Sequence, residues 1–151
     1  TGVNLRASGV DFAYRNSDYL YKGFDVGTVV LDEGDSFARY KARILEIKES
    51  MKIVHQALEY IKTTGTLAQK LINPLTLKLP EGGYYADIEA PRGIASCFVL
   101  SNGEKCPYRL KWRTGSYYSV NLLRKLLKGE YLNDAIAIAG SLDIILPEVD
   151  K

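Results

Sequence analysis

The stretch DSFARYKARILEIKESMKIVHQALEYI, residues 35–61, gives the strongest structural signal in the chain. Apolar side chains recur in it every three or four positions, which predicts an amphipathic helix of about seven turns. These side chains are Phe37, Tyr40, Ile44, Ile47, Met51, Val54, Leu58 and Ile61. Asp35 or Ser36 can cap the start of the helix, and Gly65 can end it. We therefore predict one long helix over residues 35–62.

The two faces of this helix have different expected surroundings. The eight apolar residues, called the apolar stripe below, have the spacing of a surface that packs against other helices. The opposite face is predicted to be solvated and carries Lys41, Arg43, Lys48, Glu49, Lys52 and Glu59. His55 lies beside the stripe and is interpreted as a packing or solvated residue rather than a base or ligand. Few other helices are predicted, so we expect partners of the stripe to lie outside this chain.

Composition limits the classes of function. The chain has 151 residues, 46% hydrophobic and 25% charged, with a net charge of +2, which is typical of one globular segment covering residues 1–151. Arg109, Lys111 and Arg113 alternate on one predicted strand, but acidic residues are spread through the rest, so we expect no nucleic-acid partner. Two cysteines and one histidine are too few for a four-ligand metal site, and we predict no metal ligands.

Residues 84–113 are predicted to form an antiparallel β region. Their alternation is interrupted at Pro91–Gly93. Asn102–Gly103 predicts a two-residue hairpin turn, because this pair tolerates positive φ at both central positions. The return strand, Tyr108–Arg113, alternates apolar and basic residues, so one of its faces is predicted to be buried.

The predicted hairpin also sets the expected positions of the two cysteines. With a two-residue turn, Cys106 would face Val99 and Cys97 would face Tyr108. A cross-strand disulfide does not fit this register. We therefore expect two free and buried thiols.

The segments that flank these elements give weaker signals. Residues 1–34 are rich in Gly, Asn, Asp and Tyr and are predicted to be an irregular loop region. Residues 66–81, with Pro74 and Pro80, are predicted to be a linker.

The last part of the chain, residues 120–151, is predicted to be a helical region. A loop, TGSYYSVN, is expected to precede a helix at Leu122–Leu127, and a second helix is expected at Leu132–Ala139. The whole pattern predicts an α+β fold that combines a long amphipathic helix, an antiparallel β-hairpin sheet and short C-terminal helices.

The stretch IEAPRG, residues 88–93, is the first candidate site. A proline within a strand removes a ladder hydrogen bond, and a glycine two residues later often marks a bulge or a close backbone approach. The guanidinium of Arg92 suits an anion or a polarised ligand. An ion pair with Glu89 or an aspartate that braces the bulge explains Arg92 equally well.

The chain end, GSLDIILPEVDK at residues 140–151, is the second candidate site. Asp143 precedes three apolar residues and is a candidate carboxylate for proton transfer. The alternative is a residue at a helix C-terminus that bonds to the backbone or pairs with Lys151.

Six segments in this order resemble the C-terminal part of the 49-kilodalton quinone-site core subunit of respiratory complex I. They are TGVNLRASGVDFAYR, EGDSFARYKARILEIKESMKIVHQAL, IEAPRG, YRLKWR, SVNLL and GSLDIILPEVDK. The resemblance runs through the whole chain except the linker near residues 65–80. It implies the C-terminal part of a fold like that of the nickel-iron hydrogenase large subunit, to which this family is related.

The hydrogenase relation tests the chain end. The nickel-binding cysteines that end a hydrogenase large subunit fall on Ile145 and Glu148, and neither residue can supply a thiolate ligand. The resemblance therefore indicates the quinone-reducing branch, in which the former metal cavity belongs to a quinone pocket. Residues implied to line that cavity are Arg92, Asp143, Ile144, Ile145, Leu146 and Glu148. The chain departs from the family pattern at Ile144, at Pro147, where a glycine is common, and at Lys151, where an arginine is common.

The resemblance implies a multi-subunit, proton-translocating NADH:quinone oxidoreductase in which quinone is the substrate and this chain alone is inactive. The histidine and tyrosine that bind the quinone headgroup in this family precede the part matched here, so an N-terminal half is expected as a partner, on a second chain or in a longer one. A neighbouring subunit is expected to hold an iron–sulfur cluster, with other peripheral-arm and membrane-arm subunits around it. The expected location is peripheral, on the matrix side of the mitochondrial inner membrane or the cytoplasmic side of a bacterial or archaeal membrane. The alternatives are a ferredoxin-fed hydrogenase-like or sulfur-reducing complex, and a non-catalytic assembly scaffold.

Overall fold

The computed structural model describes residues 1–65, 73 and 76–150. Within them, five α-helices and one three-stranded antiparallel sheet confirm the predicted α+β fold. In chain order they are α1 (Gly2–Arg6), α2 (Ser36–Thr64), β1 (Gly82–Ala90), β2 (Gly93–Ser101), β3 (Arg109–Arg113), α3 (Gly115–Leu126), α4 (Leu132–Leu142) and α5 (Leu146–Val149). Single 3₁₀ turns cover Tyr14–Asn16 and Tyr19–Tyr21. Within the described part of the chain, no helix is both long and apolar enough to cross a membrane. Lys151 and most of the predicted linker, including Pro74, lie outside the described residues.

The long helix α2 forms where the sequence predicts it. Asp35 caps its start, because the carboxylate Oδ1 accepts a hydrogen bond from the backbone N–H of Ala38 at 2.6 Å. The helix ends at Thr64 and is followed by Gly65, whose φ of 79° favours a residue without a side chain. The predicted bounds of 35–62 differ from the observed ones by two residues or fewer.

Helix α2 presents small and charged residues, rather than its apolar stripe, to the rest of the chain. Ala38 and Ala42 are buried and form a small core with Val3 and Ala7 of the N-terminal segment. Every residue of the apolar stripe is exposed, including Met51 at 66%. Small side chains allow α1 to approach α2 closely, and the stripe faces away from the described residues.

The N-terminal segment is more ordered than the predicted irregular region of residues 1–34. It contains α1, and its backbone pairs with a later part of the same segment through Gly9 N–H to Leu31 O at 2.8 Å and Leu31 N–H to Arg6 O at 3.0 Å. Arg6 is 4% exposed and forms an ion pair with Glu46 of α2 at 2.6 Å. Composition suggested a loop because the few buried residues here, Val3, Arg6, Ala7 and Ala13, form no long apolar pattern.

The interruption at Pro91–Gly93 is a hairpin turn, not a bulge within one strand. Ala90 pairs with Gly93, so Pro91 and Arg92 form the turn between β1 and β2. Proline supplies a fixed φ at the first turn position. The expected close backbone approach does occur, because a Cβ atom on Gly93 would overlap Thr1 Oγ1.

The predicted two-residue hairpin turn at Asn102–Gly103 is wrong. Val99 pairs with Leu110, so the connection is a loop of residues 102–108 rather than two residues. Gly103 has a φ of 81°, but Asn102 does not enter the positive-φ region. The Asn102 side chain instead accepts a hydrogen bond from the N–H of Glu104 at 3.4 Å, as in an Asx turn, and Pro107 has no N–H to donate to a ladder.

The corrected register changes the expectations for the cysteines and for β3. Cys97 faces Trp112 rather than Tyr108. Both cysteines are free, as predicted, but Cys97 is half-buried and Cys106 is exposed, so the expectation of two buried thiols is wrong. All five residues of β3 are exposed, and the predicted buried face of this strand is not covered by the described residues.

The C-terminal helices differ from the prediction mainly at their starts and ends. Helix α3 begins at Gly115, seven residues before the predicted Leu122, so most of TGSYYSVN is helical. Helix α4 continues to Leu142 rather than ending at Ala139. Pro147 lies in the first turn of α5, where a helix N–H has no partner within the helix in any case.

Candidate functional site

The candidate site forms where the turn between β1 and β2 meets the end of the chain. Arg92 Nε donates a hydrogen bond to the carbonyl oxygen of Asp143 at 2.8 Å and lies 3.1 Å from its carboxylate Oδ2. Arg92 Nη2 donates to Asp143 Oδ1 at 3.3 Å, and Nη1 donates to Glu148 Oε1 at 3.5 Å. The Arg92 side chain is 19% exposed. One guanidinium therefore joins the carboxylate of Asp143, which follows α4, to the carboxylate of Glu148, which lies in α5.

Of the two ion-pair partners left open for Arg92, Glu89 is not the one observed. Glu89 pairs with Arg15 at 2.9 Å, and both side chains are largely buried. The other option left open at Arg92, an ion pair with an aspartate, is what the structure shows, with Asp143 as that aspartate.

Asp143 is held in an unusual backbone conformation. It follows the last residue of α4 with a φ of 52° and a ψ of 52°, the left-handed region, which aspartate tolerates better than most residues with a side chain. This conformation ends α4 and turns the following segment. Its carboxylate then lies against Arg92 while 43% of the side chain remains exposed.

Glu148 is held by the start of α3. Ser116 Oγ donates a hydrogen bond to Glu148 Oε2 at 2.5 Å, and Thr114 Oγ1 donates to the Glu148 carbonyl oxygen at 2.5 Å. The N-terminus of a helix also favours a nearby negative charge. The carboxylate of Glu148 therefore has a donor on one oxygen and Arg92 on the other.

Helix α2 contributes a second arginine, Arg43, to the candidate site. Arg43 Nη1 donates to the Ser141 carbonyl oxygen at 2.6 Å, and Nη2 donates to Asn4 Oδ1 at 3.2 Å. Burial lowers the pKa of the Arg43 guanidinium, while the negative charges of Asp143 and Glu46 raise it. Arginine stays charged under these conditions, so Arg43 adds a positive charge on the α2 side of Asp143.

A cavity of about 430 Å³ lies between this arginine and the hairpin turn. Its walls include Arg43, Asp143, Glu46 and Pro91. Burial, and then the nearby charge of Glu89, raise the pKa of Tyr21, which also lines this cavity. Charged side chains therefore line this cavity together with apolar ones such as Val3 and Ile47.

A larger cavity, about 830 Å³, is lined by Glu148. Trp112, Tyr117 and Val149 give it mostly apolar walls, and the guanidinium of Arg113 lies 4.5 Å from the ring centroid of Tyr118. Glu148 therefore places a carboxylate at the wall of a mostly apolar cavity.

The three predicted apolar wall residues have different surroundings. Ile144 and Ile145 are half-buried, and the backbone N–H of Ile145 donates to Ser116 Oγ at 3.3 Å. Leu146 is 74% exposed. The structure brings Arg92, Asp143 and Glu148 together, whereas the assignment of Ile144, Ile145 and Leu146 to a cavity wall stays a prediction.

Sequence reasoning missed the supporting residues. It placed Arg43 on the solvated face of α2, although Arg43 is half-buried and bonded to two other elements. Ala38 and Ala42 lie four residues apart, and this small-residue spacing marks the inner face of α2 beside Arg43. Thr114 and Ser116 fall in the stretch predicted to be a loop, and no signal in their spacing indicated Glu148.

Other candidate groups lie apart from this site. His55 is exposed on α2. Across residues 1–65, 73 and 76–150, no group of three or more histidine, cysteine, aspartate or glutamate side chains is arranged to hold a metal ion.

Comparison with known proteins gives consistent matches along the chain. Residues 1–151 match the family described as "Respiratory-chain NADH dehydrogenase, 49 Kd subunit". The chain is 45% identical over 152 aligned positions to the D-type subunit of the NADH-quinone oxidoreductase of Geobacillus thermodenitrificans and 42% identical to that of Bacillus cytotoxicus, covering 99% of this chain and 41% of each relative. The chain thus spans about two fifths of the length of these curated relatives.

One solved structure is also closely similar. It is a chain of the membrane-bound sulfane sulfur reductase, described as an archaeal respiratory membrane complex. The TM-score is 0.87 at 35% sequence identity, over 100% of this chain and 42% of that one.

Proposed function

Because the chain belongs to the family of the 49 Kd subunit of the respiratory-chain NADH dehydrogenase, we propose that it is the C-terminal part of a quinone-site core subunit. In this proposal it works within a proton-translocating NADH:quinone oxidoreductase and lines the quinone cavity. Its 45% identity to an NADH-quinone oxidoreductase chain along 99% of its length supports this assignment.

The observation on which the proposal rests most is the Arg92 junction. Two segments 51 residues apart, both implied by the resemblance, meet through hydrogen bonds from Arg92 to Asp143 and to Glu148. A guanidinium fixed by two carboxylates can offer a hydrogen-bond donor to a quinone oxygen without rotating away. The half-buried Ile144 and Ile145 and the exposed Leu146 would supply apolar wall for a lipid-soluble substrate.

The exposed apolar stripe of α2 supports the proposal that a partner covers this face of the chain. Eight apolar side chains on one helix face are costly to leave in water. We assign their cover to helices of the N-terminal part of the same subunit, which would also supply the groups that bind the quinone headgroup. Residues 1–151 then act as one C-terminal segment, and electrons reach the cavity from an iron–sulfur cluster held by a neighbouring subunit.

The remaining partners are the other peripheral-arm and membrane-arm subunits of the complex. The chain is then located peripherally on a membrane, on the matrix or cytoplasmic side, and is inactive alone.

The test uses the assembled complex that contains the whole subunit. Arg92→Ala and Asp143→Asn should reduce the rate of quinone reduction at least about tenfold, because each removes a charged partner from the junction. Oxidation of NADH by a hydrophilic acceptor that bypasses the quinone site should stay within about twofold of wild type. Equal losses of both activities would show that these residues do not act at the quinone cavity.

A second candidate function is a sulfur-reducing membrane complex fed by ferredoxin. The likeness to the sulfane sulfur reductase favours it, although the identity is lower than to the NADH-quinone oxidoreductase relatives. The purified complex should be offered polysulfide and quinone as alternative acceptors. Faster reduction of polysulfide would favour this candidate, stoichiometric nickel would indicate a hydrogenase, and no effect of either variant on any acceptor would indicate a scaffold.

A further inference from the structure

The start of α3 contacts both partners of the Arg92–Glu148 ion pair. Gly115 packs so closely on the hairpin turn that a Cβ atom on it would overlap the Arg92 carbonyl oxygen. Thr114 and Ser116, on either side of Gly115, donate hydrogen bonds to the backbone and to the side chain of Glu148. These three residues therefore set the distance between the turn and the chain end.

Ser116 has the most specific geometry of the three. The residue is 0% exposed. Its hydroxyl donates to Glu148 Oε2 at 2.5 Å and accepts a hydrogen bond from the Ile145 N–H at 3.3 Å. Glu148 Oε1 is thereby turned toward Arg92 Nη1, at 3.5 Å. That contact is at the long limit of a hydrogen bond, so it depends on how the carboxylate is rotated.

We propose that Ser116 is a positioning residue for quinone reduction. By holding one oxygen of Glu148, Ser116 orients the other oxygen toward Arg92. It thereby keeps the Arg92 guanidinium directed toward the proposed quinone cavity, without contacting the quinone itself. This inference rests on the function proposed above and adds a residue that the resemblance does not assign.

The first experiment compares Ser116→Ala with Ser119→Ala in the assembled complex. Ser119 is a matched control because it lies one turn further along α3, is 6% exposed, and has its hydroxyl bonded to Asn4 instead of Glu148. Ser116→Ala should raise the KM for quinone about tenfold with little change in kcat, since a hydrogen bond to a charged group is lost. Ser119→Ala should leave the KM within about twofold of wild type.

The second experiment asks whether Ser116 acts through Glu148. In a Glu148→Ala background, adding Ser116→Ala should not raise the KM further, because the carboxylate that it orients is absent. An additional increase equal to that seen in the wild-type background would overturn the proposal. If Ser116→Ala does not assemble, Ser116→Cys, which keeps a weak donor in nearly the same volume, replaces it and should give a smaller but measurable increase; a wild-type KM for Ser116→Cys would then overturn it.

The outcomes separate this inference from the proposed function. If Arg92→Ala raises the KM while Ser116→Ala behaves like Ser119→Ala, only the positioning role fails. If Arg92→Ala and Ser116→Ala both leave quinone reduction unchanged, the assignment of this junction to the quinone cavity fails as well.

Discussion

The inner and outer faces of α2 differ in the contacts that they make with the rest of the chain. The inner face combines two buried alanines with three charged residues that bond to other parts of the chain. Arg39 and Arg43 donate hydrogen bonds to Ser141, and Glu46 pairs with Arg6. The outer face is the apolar stripe, which is exposed throughout. Polar contacts with fixed geometry thus connect α2 to the candidate site, whereas the described residues leave its apolar surface uncovered. The predictions below test this difference, from the largest expected effect to the smallest.

The largest effect is expected at the inner face, from Glu46→Ala. Arg6 and Glu46 form an ion pair in which the two side chains are only 5% and 13% exposed. Removing the glutamate leaves a buried arginine with less compensation, which typically costs about 3–5 kcal/mol. Thermal unfolding of the assembled complex, or its yield, measures the loss.

The matched control on the same helix is Lys52→Ala. Lys52 forms a pair with Glu49 at the same 2.6 Å, but its side chain is 59% exposed. Exposed pairs contribute little to stability, so this variant should unfold with the wild type. An equal loss from both variants would contradict the claim that the buried contacts of the inner face stabilise the fold more than an exposed ion pair does.

A second prediction concerns the outer face and its cover. Leu58 is 55% exposed. If helices of the N-terminal part bury it, Leu58→Ala in the intact subunit should cost about 2–5 kcal/mol, as truncations in a core do. His55→Ala, on the same turn at the edge of the stripe, should cost much less. Unfolding of the complex at wild-type temperature for both variants would show that the stripe is not buried.

The smallest effect is expected at the start of α2. Asp35→Ala removes the acceptor for the Ala38 N–H and should cost about 1 kcal/mol. Asp35→Ser, which restores a capping oxygen, should recover most of it. A loss in Asp35→Ser as large as in Asp35→Ala would mean that the capping bond is not the cause.

Two kinds of feature could be predicted from the sequence: a helix with a long periodic pattern of apolar residues, and a position marked by the rigid residue Pro91. The stripe sets the bounds of α2, and Pro91 and Gly93 mark a close approach of the backbone. The fold class follows from those signals. Arg92, Asp143 and Glu148 are predicted as one site by a family resemblance rather than by their spacing.

The remaining features depend on contacts between distant residues. The loop after β2 replaces a two-residue turn because Ser101 and Asn102 side chains bind the local backbone at Gly103 and Glu104. Arg43 is predicted to be solvated because its partners, Asn4 and Ser141, come from opposite ends of the chain. Periodicity along one helix contains no information about such partners.

The central claim is that the junction of Arg92 with the chain end lines a quinone cavity. The most direct test is to label the assembled complex with a photoreactive quinone analogue and to map the modified peptides. We predict labelling within residues 88–93 or 143–149 that excess native quinone prevents. Quinone-protected labelling confined to other parts of the complex would contradict the claim.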